Sequence, residues 1–307
     1  MNKEQVLKEV QAGYAAVARE SQGQKEEALS KIARAFGYSE EDLAAIPSDA
    51  NLGLSCGNPV ALANLKPGEV VVDLGCGAGI DVMLAARKVG PTGRSIGIDM
   101  TPEMIDRAKK NSRAPIQGVV YTQVEFHLAP IDELPLKDEI ADCMVSNCVI
   151  NLAPDKRAVF KEMHRVLKPG GRLSISDIAL KGSLPRELER NLHAYVGCIS
   201  GAISLQEYET GLQEAGFSSI RVIDTRKDLN AYAQAEGQTG CCTPSMEERP
   251  GSLGSLPVAS DSCGDPQEAG GGCCSPPEEG LYSKLSEIIG KYDLNQFAAA
   301  VQVYAIK

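Results

Sequence analysis

The stretch that decides the fold is Val70-Val71-Val72-Asp73-Leu74-Gly75-Cys76-Gly77-Ala78-Gly79. It begins as an apolar, β-branched run of the kind that forms buried strands, and it ends as a glycine-rich turn. Glycines let the backbone turn sharply and approach a ligand closely, because they carry no Cβ atom. Asp99 ends the next predicted strand about twenty residues farther on, where a carboxylate can accept hydrogen bonds from both hydroxyls of a ribose. The stretch therefore predicts a nucleotide-binding turn between a strand and a helix.

Around this turn, short β-branched runs alternate with helical patterns. The predicted strands are Val70–Leu74, Arg94–Ile98, Val124–His127, Ala141–Ser146, Arg172–Asp177, Ile220–Thr225 and Ala300–Ile306. The predicted helices between and after them are Asp81–Val89, Pro102–Asn111, Lys156–Leu167 and Leu205–Ala215. Because the strands are apolar throughout rather than alternating, the pattern predicts a doubly wound, mostly parallel α/β sheet with helices on its faces.

Two helical patterns precede the sheet. Val6, Val10, Tyr14 and Val17 recur at helical spacing, and a second pattern runs from Lys25 to Phe36. Asn58-Pro59 has the form of an N-cap followed by proline at the first helical position. We therefore predict a helical N-terminal extension over residues 1–50 and a main domain over residues 51–235.

A segment crowded with Gly, Pro, Ser and Cys interrupts this order near the C-terminus. It has no apolar periodicity, so residues 236–280 are predicted to be a flexible insertion. A helix and the last strand are predicted over residues 281–307. The similar phrases Asp228-Leu229-Asn230 and Asp293-Leu294-Asn295 lie on either side of the insertion, but the match is too short to establish a repeat.

The composition excludes several classes of protein. An apolar content of 43% with 23% charged residues is typical of a folded globular chain. The formal net charge of −10 argues against a nucleic-acid partner, since an acidic surface repels a phosphate backbone. No apolar run approaches the length of a membrane span, and the charged, amphipathic N-terminus does not resemble a signal peptide. We expect a cytoplasmic protein without a membrane partner, and a monomer because no interface pattern is evident.

The glycine spacing separates two kinds of nucleotide ligand. A dinucleotide site requires G-x-G-x-x-G, whereas this chain has G-x-G-x-G with Ile80 at the position of the last glycine. Asp73 precedes the turn, where a carboxylate would repel phosphate and suits a cationic sulfonium with its amino group. The stretch resembles motif I of the class I S-adenosylmethionine-dependent methyltransferases, and Leu167–Leu173 resembles the segment before their fifth strand. The resemblance implies a Rossmann-like methyltransferase fold and S-adenosylmethionine as cofactor.

Ten cysteines require an explanation of their own. Without a signal peptide they are expected to be reduced, and the C-x₂-C spacing of zinc ribbons is absent. Cys56 lies just before the sheet, Cys148 follows the fourth predicted strand and Cys198 follows the fifth. Ligands of open parallel sheets bind beyond the carboxyl ends of the strands, so we expect Cys148 and Cys198 to face the methyl group of the cofactor. Three thiolates at one point would suit a soft, three-coordinate centre.

The chain over about residues 49–225 is similar to the arsenite methyltransferases. The phrases that carry the resemblance are Asn51–Pro59 (NLGLSCGNP), Gly97–Asn111 (GIDMTPEMIDRAKKN), Ser146–Phe160 (SNCVINLAPDKRAVF) and Tyr195–Ser204 (YVGCISGAIS). The resemblance implies that Cys148 and Cys198 hold trivalent arsenic and that Cys56 joins them as third ligand and redox partner. The substrate would be arsenite or an arsenite–thiol conjugate.

The same resemblance implies the residues that contact the cofactor. These are Asp73, Gly75, Cys76, Gly77, Gly79, Asp99, Met100, Ile131, Asp132 and Asn147. Ile131 and Asp132 correspond to the pair that frames the adenine edge. Cys76 belongs to the cofactor turn by position, but we interpret its thiol as structural, like that of Cys143.

Arsenic chemistry also fits the residue types present. Trivalent arsenic bound to three sulfurs keeps a lone pair that can attack a sulfonium methyl group, so no general base is needed. This agrees with the presence of only 3 histidines. Methylation formally oxidises arsenic, and a thiol pair that forms a disulfide would return it to the trivalent state. An external reductant of the glutathione or thioredoxin type would then reset the enzyme.

This chain departs from the family in one place. Many relatives carry a further cysteine before the position of Gly37-Tyr38, whereas this sequence reads Glu20-Ser21-Gln22-Gly23-Gln24. Cys56 would then pair with Cys148, with Cys198 or with an external thiol.

Cysteines also occur in the predicted insertion, and the vicinal pairs there chelate soft ions as dithiolates. Cys241, Cys242, Cys273 and Cys274 are therefore further candidate arsenic ligands, on an arm that would pass arsenite to the site. The alternative is a low-complexity loop with adventitious metal affinity.

Two other functions remain open on the residues alone. One is methylation of a small organic substrate, which predicts a base near the cofactor and a site that tolerates Cys148→Ser. The other is a thiol-based arsenite-binding protein, which predicts arsenite binding without cofactor binding.

Overall fold

The computed structural model describes residues 3–19, 26–116, 118, 120–189, 198–230 and 291–307. Its helices are α1 Lys3–Arg19, α2 Glu26–Ala35, α3 Glu40–Ala44, α4 Pro59–Leu62, α5 Ile80–Val89, α6 Pro102–Arg113, α7 Lys156–Val166, α8 Arg186–Glu189 and α9 Leu205–Glu214. Its strands are β1 Val70–Leu74, β2 Arg94–Asp99, β3 Val124–Leu128, β4 Ala141–Asn147, β5 Leu167–Leu180, β6 Ser218–Asp224 and β7 Ala298–Ile306. Short 3₁₀ turns occur at Ser48–Ala50, Ile150–Leu152 and Leu294–Gln296.

The seven strands form one sheet in the order β3-β2-β1-β4-β5-β7-β6. Strands β1 to β5 are parallel, and β7 runs antiparallel to both β5 and β6. The predicted doubly wound, mostly parallel sheet is confirmed. The chain moves outward from β1 to β3 and then crosses to β4, so β1 and β4 flank the point where the strand order reverses. In sheets of this kind ligands bind in the crevice beyond the carboxyl ends of such strands.

Helices cover both faces of the sheet. Val72 and Leu74 of β1 belong to an apolar cluster with α7 and α9, whereas Val71 belongs to a cluster with α5 and with the segments that precede the sheet. Successive side chains of a strand point to opposite faces, so an unbroken apolar run supplies both layers at once. Among the described helices, none is long and apolar enough to cross a membrane.

Local sequence signals account for most element boundaries. The Asn58 side chain accepts a hydrogen bond from the Ala61 amide at 2.8 Å and starts α4 with Pro59 at its first position, which confirms the predicted cap. The predicted strand Arg172–Asp177 was too short, because β5 extends to Leu180, which pairs with Ala298 of β7. That extension depends on a partner strand more than a hundred residues away, which no local pattern contains.

The two short phrases beside the predicted insertion bind each other reciprocally. The Leu229 amide donates to Asn295 Oδ1 at 2.9 Å, and the Leu294 amide donates to Asn230 Oδ1 at 3.3 Å. Asn230 Nδ2 and Asn295 Nδ2 donate to Asp293 and Asp228 at 2.9 and 2.7 Å. Both leucines are buried in one apolar cluster, so we call residues 228–230 and 293–295 the Asp-Leu-Asn clasp. The predicted insertion and most of the predicted C-terminal helix lie outside the described residues.

Candidate functional site

A cavity opens at the carboxyl ends of β1, β2 and β4, where the topology predicts a ligand site. Nine of the ten residues predicted to contact the cofactor line it: Asp73, Gly75, Cys76, Gly77, Asp99, Met100, Ile131, Asp132 and Asn147. The tenth, Gly79, is the N-cap of α5, where its φ of +92° favours glycine. Cys148 also lines the cavity, at the end toward β4.

The glycine-rich turn is held against β2 by its backbone. The amides of Gly75 and Cys76 both donate to the Ile98 carbonyl, at 2.8 and 2.9 Å. Gly75 has a φ of +70°, and a Cβ atom placed on it would lie 2.5 Å from the Cβ of Val149. The cofactor turn therefore packs directly against Val149, the residue that follows Cys148. A change in the turn would in this way affect the position of the Cys148 segment.

Asp99 orders the turn from the next strand. Its carboxylate accepts from the Gly77 amide at 2.9 Å and from the Thr101 amide at 2.8 Å. Burial raises the pKa of Asp99, and these backbone donors oppose the increase. The predicted ribose-binding carboxylate thus lies at the rim of the turn, as the spacing from Gly79 suggested.

Three aspartates give the cavity an acidic lining, and two of them, Asp73 and Asp81, are buried. Burial raises the pKa of Asp73 well above its usual value, and the charges of Asp81 and Asp99 raise it further. Burial likewise raises the pKa of Asp81 to about 6, against hydrogen bonds from Asn147 and Tyr38. The described lining contains no Lys, Arg or His side chain. This charge suits a cationic sulfonium and ammonium and is unsuited to a pyrophosphate, so the residues present fit S-adenosylmethionine.

The three predicted arsenic cysteines lie in one part of the structure. Cys56 and Cys148 are joined as a disulfide with a Cα–Cα distance of 5.8 Å. The Cys198 thiol donates to the Cys148 carbonyl at 2.6 Å. All three belong to one buried apolar cluster, together with Val6 and Val10 of α1. Segments that are 92 and 50 residues apart are therefore brought together beside the cavity.

Two of these cysteines adopt a backbone conformation that L-residues rarely use. Cys148 has a φ of +56° and Cys198 has a φ of +64°. Such conformations cost about 1–3 kcal/mol each and persist only where the surroundings enforce them. The Cys148 amide donates to the Ser176 carbonyl at 2.9 Å, and Asn151 Nδ2 donates to the Cys198 carbonyl at 3.3 Å.

The Cys198 thiol lies in an environment that favours its protonated form. Burial raises its pKa, the charge of Asp177 raises it further, and a hydrogen bond from Tyr14 opposes both. Asp177 is itself fully buried and accepts from the Tyr208 hydroxyl at 2.6 Å and from Asn151 at 2.9 Å. Asn151 thereby connects this carboxylate to the Cys198 carbonyl.

Sequence reasoning missed the part that α1 plays. Leu7, Val10 and Tyr14 line the cavity, and Gln11 Nε2 donates to the Met100 carbonyl at 2.8 Å. The helical spacing of Val6, Val10 and Tyr14 predicted an amphipathic helix, but it contained no information on the surface that this helix covers. Sequence reasoning also missed Val149, Asn151, Tyr38 and Asp81, because their roles depend on contacts with distant segments that no local pattern contains.

The other described cysteines lie apart from this cluster. Cys76 packs with Val82 and Ile105, and a Cβ on Gly97 would lie 2.8 Å from its sulfur. Cys143 is buried in β4, and burial raises its pKa to about 12. Cys241, Cys242, Cys273 and Cys274 lie outside the described residues. Within the described ranges, no group of three or more His, Cys, Asp and Glu side chains is arranged to hold a metal ion.

Comparison with known proteins agrees with this geometry. A family model described as "Methyltransferase domain" matches residues 65–216. An arsenite methyltransferase of Halobacterium salinarum is 44% identical over 187 residues, which are 61% of this chain and 47% of that protein. A 2-phytyl-1,4-beta-naphthoquinone methyltransferase of Arabidopsis thaliana is 30% identical over 183 residues, 52% of this chain and 68% of that protein. The chain spans about half the length of the curated arsenite methyltransferases that it matches.

The fold also matches a solved methyltransferase. Phosphoethanolamine N-methyltransferase 2 of Haemonchus contortus, in complex with S-adenosyl-L-methionine, superposes with a TM-score of 0.57. At 16% identity the match covers 96% of this chain and 60% of that one, and it shows the fold alone. The matching family model spans the glycine-rich turn and the carboxylate at the end of β2. The chain therefore belongs to the class I methyltransferases, whose cofactor is S-adenosylmethionine.

Proposed function

We propose that the chain methylates trivalent arsenic bound as thiolates. The observation that carries the proposal is the grouping of Cys56, Cys148 and Cys198 in one buried cluster, from which Cys148 lines the cavity that fits S-adenosylmethionine. Several relatives that bear the name arsenite methyltransferase support it, including the one from Halobacterium salinarum. The three cysteines come from separate segments, so their proximity is a property of the fold.

Substrate binding requires the reduced form of the site. In the disulfide form only Cys198 of the three has a free thiol. Once Cys56 and Cys148 are reduced, three thiols can replace the three hydroxyls of arsenite. Each As–O bond is exchanged for an As–S bond, and each thiol proton leaves with a hydroxyl as water. A raised thiol pKa, as at Cys198, is therefore no obstacle to loading.

Methyl transfer depends on position and on exclusion of water. S-adenosylmethionine, when bound, supplies an electrophilic methyl group whose bonding electrons return to its sulfur. The cysteines hold arsenic with its lone pair free to form the new bond, so the chain needs no general base. The apolar surroundings of the cysteines exclude water.

A thiol pair close enough to oxidise is part of the same proposal. Formation of the As–CH₃ bond raises arsenic formally from the trivalent to the pentavalent state. The As–S bonds to Cys56 and Cys148 then break as these two sulfurs form their disulfide, so that one electron pair joins the sulfurs and the other returns to arsenic as its lone pair. The methylated arsenic keeps its bond to Cys198 and binds one external thiol, which loses its proton. The 5.8 Å Cα separation permits the disulfide. Two thiols of a glutathione- or thioredoxin-type reductant would then regenerate both cysteines by exchange. With such a reductant we expect the protein to act in the cytoplasm, as a monomer.

The test is arsenic speciation by chromatography with mass detection. Protein is incubated with arsenite, S-adenosylmethionine and excess thiol, beside Cys148→Ala and the matched control Cys143→Ala. Both cysteines belong to the same stretch of chain, but Cys143 lies in another apolar cluster. Methylated arsenic from the wild type and Cys143→Ala, with at least a hundredfold less from Cys148→Ala, is expected. No methylated arsenic from any of them, with S-adenosylmethionine bound, would reject the arsenic assignment and favour a small organic substrate.

A contribution of Cys241, Cys242, Cys273 and Cys274 to arsenite capture stays a prediction. Methylation at limiting arsenite by a variant with all four changed to Ser tests it. We expect a raised KM for arsenite with an unchanged kcat, because these residues would deliver the substrate without taking part in the transfer.

A further inference from the structure

A cluster of polar side chains lies at one wall of the cavity, where the Cys56 loop meets the sheet. Its members are Tyr38, Asp81 and Asn147, which come from the segment before α3, the first turn of α5 and the end of β4. Tyr38 and Asp81 are 2% exposed. Asp81 contributes to the charge of the cavity, whereas Tyr38 has no part in the methylation chemistry described above. Buried polar groups that are linked in this way can fix one arrangement of the chain.

Asn147 is the centre of this cluster. Its Oδ1 accepts from the Cys56 amide at 2.9 Å. Its Nδ2 donates to the Gly57 carbonyl at 2.9 Å, to the Tyr38 hydroxyl at 2.9 Å and to Asp81 at 3.2 Å. Both ends of the amide are therefore engaged by protein groups, and two of these groups belong to the Cys56-Gly57 backbone.

Tyr38 and Asp81 fix the orientation of that amide. The Tyr38 hydroxyl donates to both Asp81 oxygens, at 2.9 and 3.0 Å, while it accepts from Asn147. A flipped Asn147 would turn its oxygen toward Asp81 and its nitrogen toward the Cys56 amide, so both contacts would become repulsive. The carboxylate and hydroxyl thus select the one orientation in which Asn147 binds the Cys56 amide.

The Cys56 loop needs such support because little regular structure holds it. Residues 51–57 belong to no helix or strand. The loop also approaches β5 closely, since a Cβ on Gly57 would lie 2.5 Å from Ser176 Oγ. Asn147 immediately precedes Cys148, so one side chain ties the backbone of the first cysteine to the strand that carries the second.

We propose that Asn147, oriented by Tyr38 and Asp81, is a positioning residue that holds Cys56 opposite Cys148. The sequence resemblance implies only a cofactor contact for Asn147. The thiol arrangement is a property of the protein itself, and only its consequence for arsenic rests on the proposed function. Loss of the support raises the freedom of Cys56 and lowers the effective concentration of its thiol at Cys148.

The experiment measures the equilibrium constant of the Cys56–Cys148 disulfide in glutathione buffers, with mass spectrometry of alkylated peptides. Tyr38→Phe removes only the hydroxyl, and Tyr121→Phe is the matched control. The Tyr121 hydroxyl is also buried in the same apolar cluster as Tyr38, and it donates to the Ala45 carbonyl at 2.6 Å. We expect Tyr38→Phe to lower the constant by roughly three- to tenfold, the factor that one net hydrogen bond supplies. Tyr121→Phe should change it by less than about twofold, since its hydroxyl is remote from both thiols.

A second variant protects the test against a general loss of stability. Asn147→Asp keeps an oxygen for the Cys56 amide but loses the donors to Tyr38, Gly57 and Asp81. It should shift the disulfide equilibrium in the same direction as Tyr38→Phe. An unchanged constant in both variants would overturn the proposal, as would equal effects of Tyr38→Phe and Tyr121→Phe. Weaker S-adenosylmethionine binding in Tyr38→Phe with an unchanged disulfide constant would assign the cluster to the cofactor instead.

Arsenic methylation is followed in the same variants as a separate measurement. The thiol equilibrium needs no arsenic, so the expected shift together with no methylation by the wild type would reject the proposed function and retain the positioning role. Methylation by the wild type without the shift would do the reverse.

Discussion

At the scale of single residues, the site depends on a few atoms that are placed where only one residue type fits. The backbone of Gly75 lies so close to the Val149 side chain that no Cβ atom fits between them. The carboxyl groups of Asp73, Asp81 and Asp99 make the lining of the cavity acidic. The three aspartates belong to three different elements, β1, α5 and β2. Changes at this scale are therefore expected to affect cofactor binding before they affect the fold.

Gly75→Ala should be far more harmful than Gly90→Ala. The two glycines have nearly the same φ, +70° and +68°, but only at Gly75 would a new Cβ meet another residue, Val149. A positive φ strains an alanine at either position, and at Gly90, where ψ is −171°, the cost is about 1–3 kcal/mol. We expect Gly90→Ala to lower the free energy of unfolding by that amount and to keep the affinity for S-adenosylmethionine. Gly75→Ala should in addition weaken that affinity at least tenfold by calorimetry. Equal affinities of the two variants would contradict the steric link to Val149.

Cofactor affinity should depend on pH through the buried carboxylates. Burial raises the pKa of Asp81 to about 6 and raises those of Asp73 and Asp99. Asp81 becomes protonated as the pH falls from 7.5 to 5, and the cavity then loses negative charge. Affinity for cationic S-adenosylmethionine should therefore fall as the pH falls. S-adenosylhomocysteine, which has no sulfonium charge, should lose less. Calorimetry of both ligands at several pH values checks this, and parallel losses would show that the sulfonium charge is not what the carboxylates bind.

At the scale of elements, the reciprocal Asp-Leu-Asn clasp joins two segments that are 66 residues apart. It buries Leu229 and Leu294 in the apolar cluster that also contains the three site cysteines. The asparagines bind partly exposed backbone and carboxylate groups of the opposite phrase. The clasp thus holds residues 228–230 against residues 293–295, beside the cluster that contains the site cysteines.

A double-mutant cycle measures the clasp. Asn230→Ala and Asn295→Ala should each lower the free energy of unfolding by about 1 kcal/mol, because each removes a side chain that makes two hydrogen bonds across the clasp. The double variant should lose at least about 0.5 kcal/mol less than the sum, since either change opens the same structure. Urea unfolding supplies the three values. Strictly additive losses of unfolding free energy would mean that the hydrogen bonds of Asn230 and those of Asn295 stabilise the protein independently.

At the scale of the whole molecule, one side of the cavity is lined by α1, a helix that precedes the sheet and its crossover connections. Helix α1 packs on α6, where Arg107 donates to the Ala18 carbonyl at 2.7 Å and Arg19 forms an ion pair with Glu103. Leu7, Val10 and Tyr14 cover the cavity, and Val6 and Val10 reach the cysteine cluster. One helix therefore contacts both the cofactor region and the thiol region.

S-adenosylmethionine should slow amide exchange in α1. A ligand in the cavity adds contacts to Leu7, Val10 and Tyr14, so opening of the helix becomes rarer. We expect at least about tenfold slower exchange over residues 7–17 by mass spectrometry at saturating ligand. Helix α9 packs against α7 and β6, and none of its residues lines the cavity, so it serves as the internal control. Exchange in α1 that is unchanged by the ligand would show that this helix does not close over the cofactor.

Much of the fold could be predicted because its determinants are local. The apolar runs of β1 and β2, the glycines after β1 and the Asn58 cap each act within a few residues of themselves, and the structure confirms them. Sequence reasoning also selected Cys56, Cys148 and Cys198, which the fold brings together. The assignment of Cys198 and Cys56 to one centre depended on the family resemblance, since their sequence separation contains no geometric information. The predicted boundaries at residues 50, 235 and 280 stay predictions.

By itself, the sequence determined the class of sheet and the position of the cofactor turn, because strand propensity and turn chemistry are local properties. Only the tertiary structure decided what surrounds them. The Asn147 amide binds the Cys56 amide 91 positions away, and Tyr38 reaches Asp81 across 43 positions. The clasp and the cover that α1 forms depend likewise on contacts between distant segments. Such contacts depend on how whole elements pack, and no short stretch of residues contains that information.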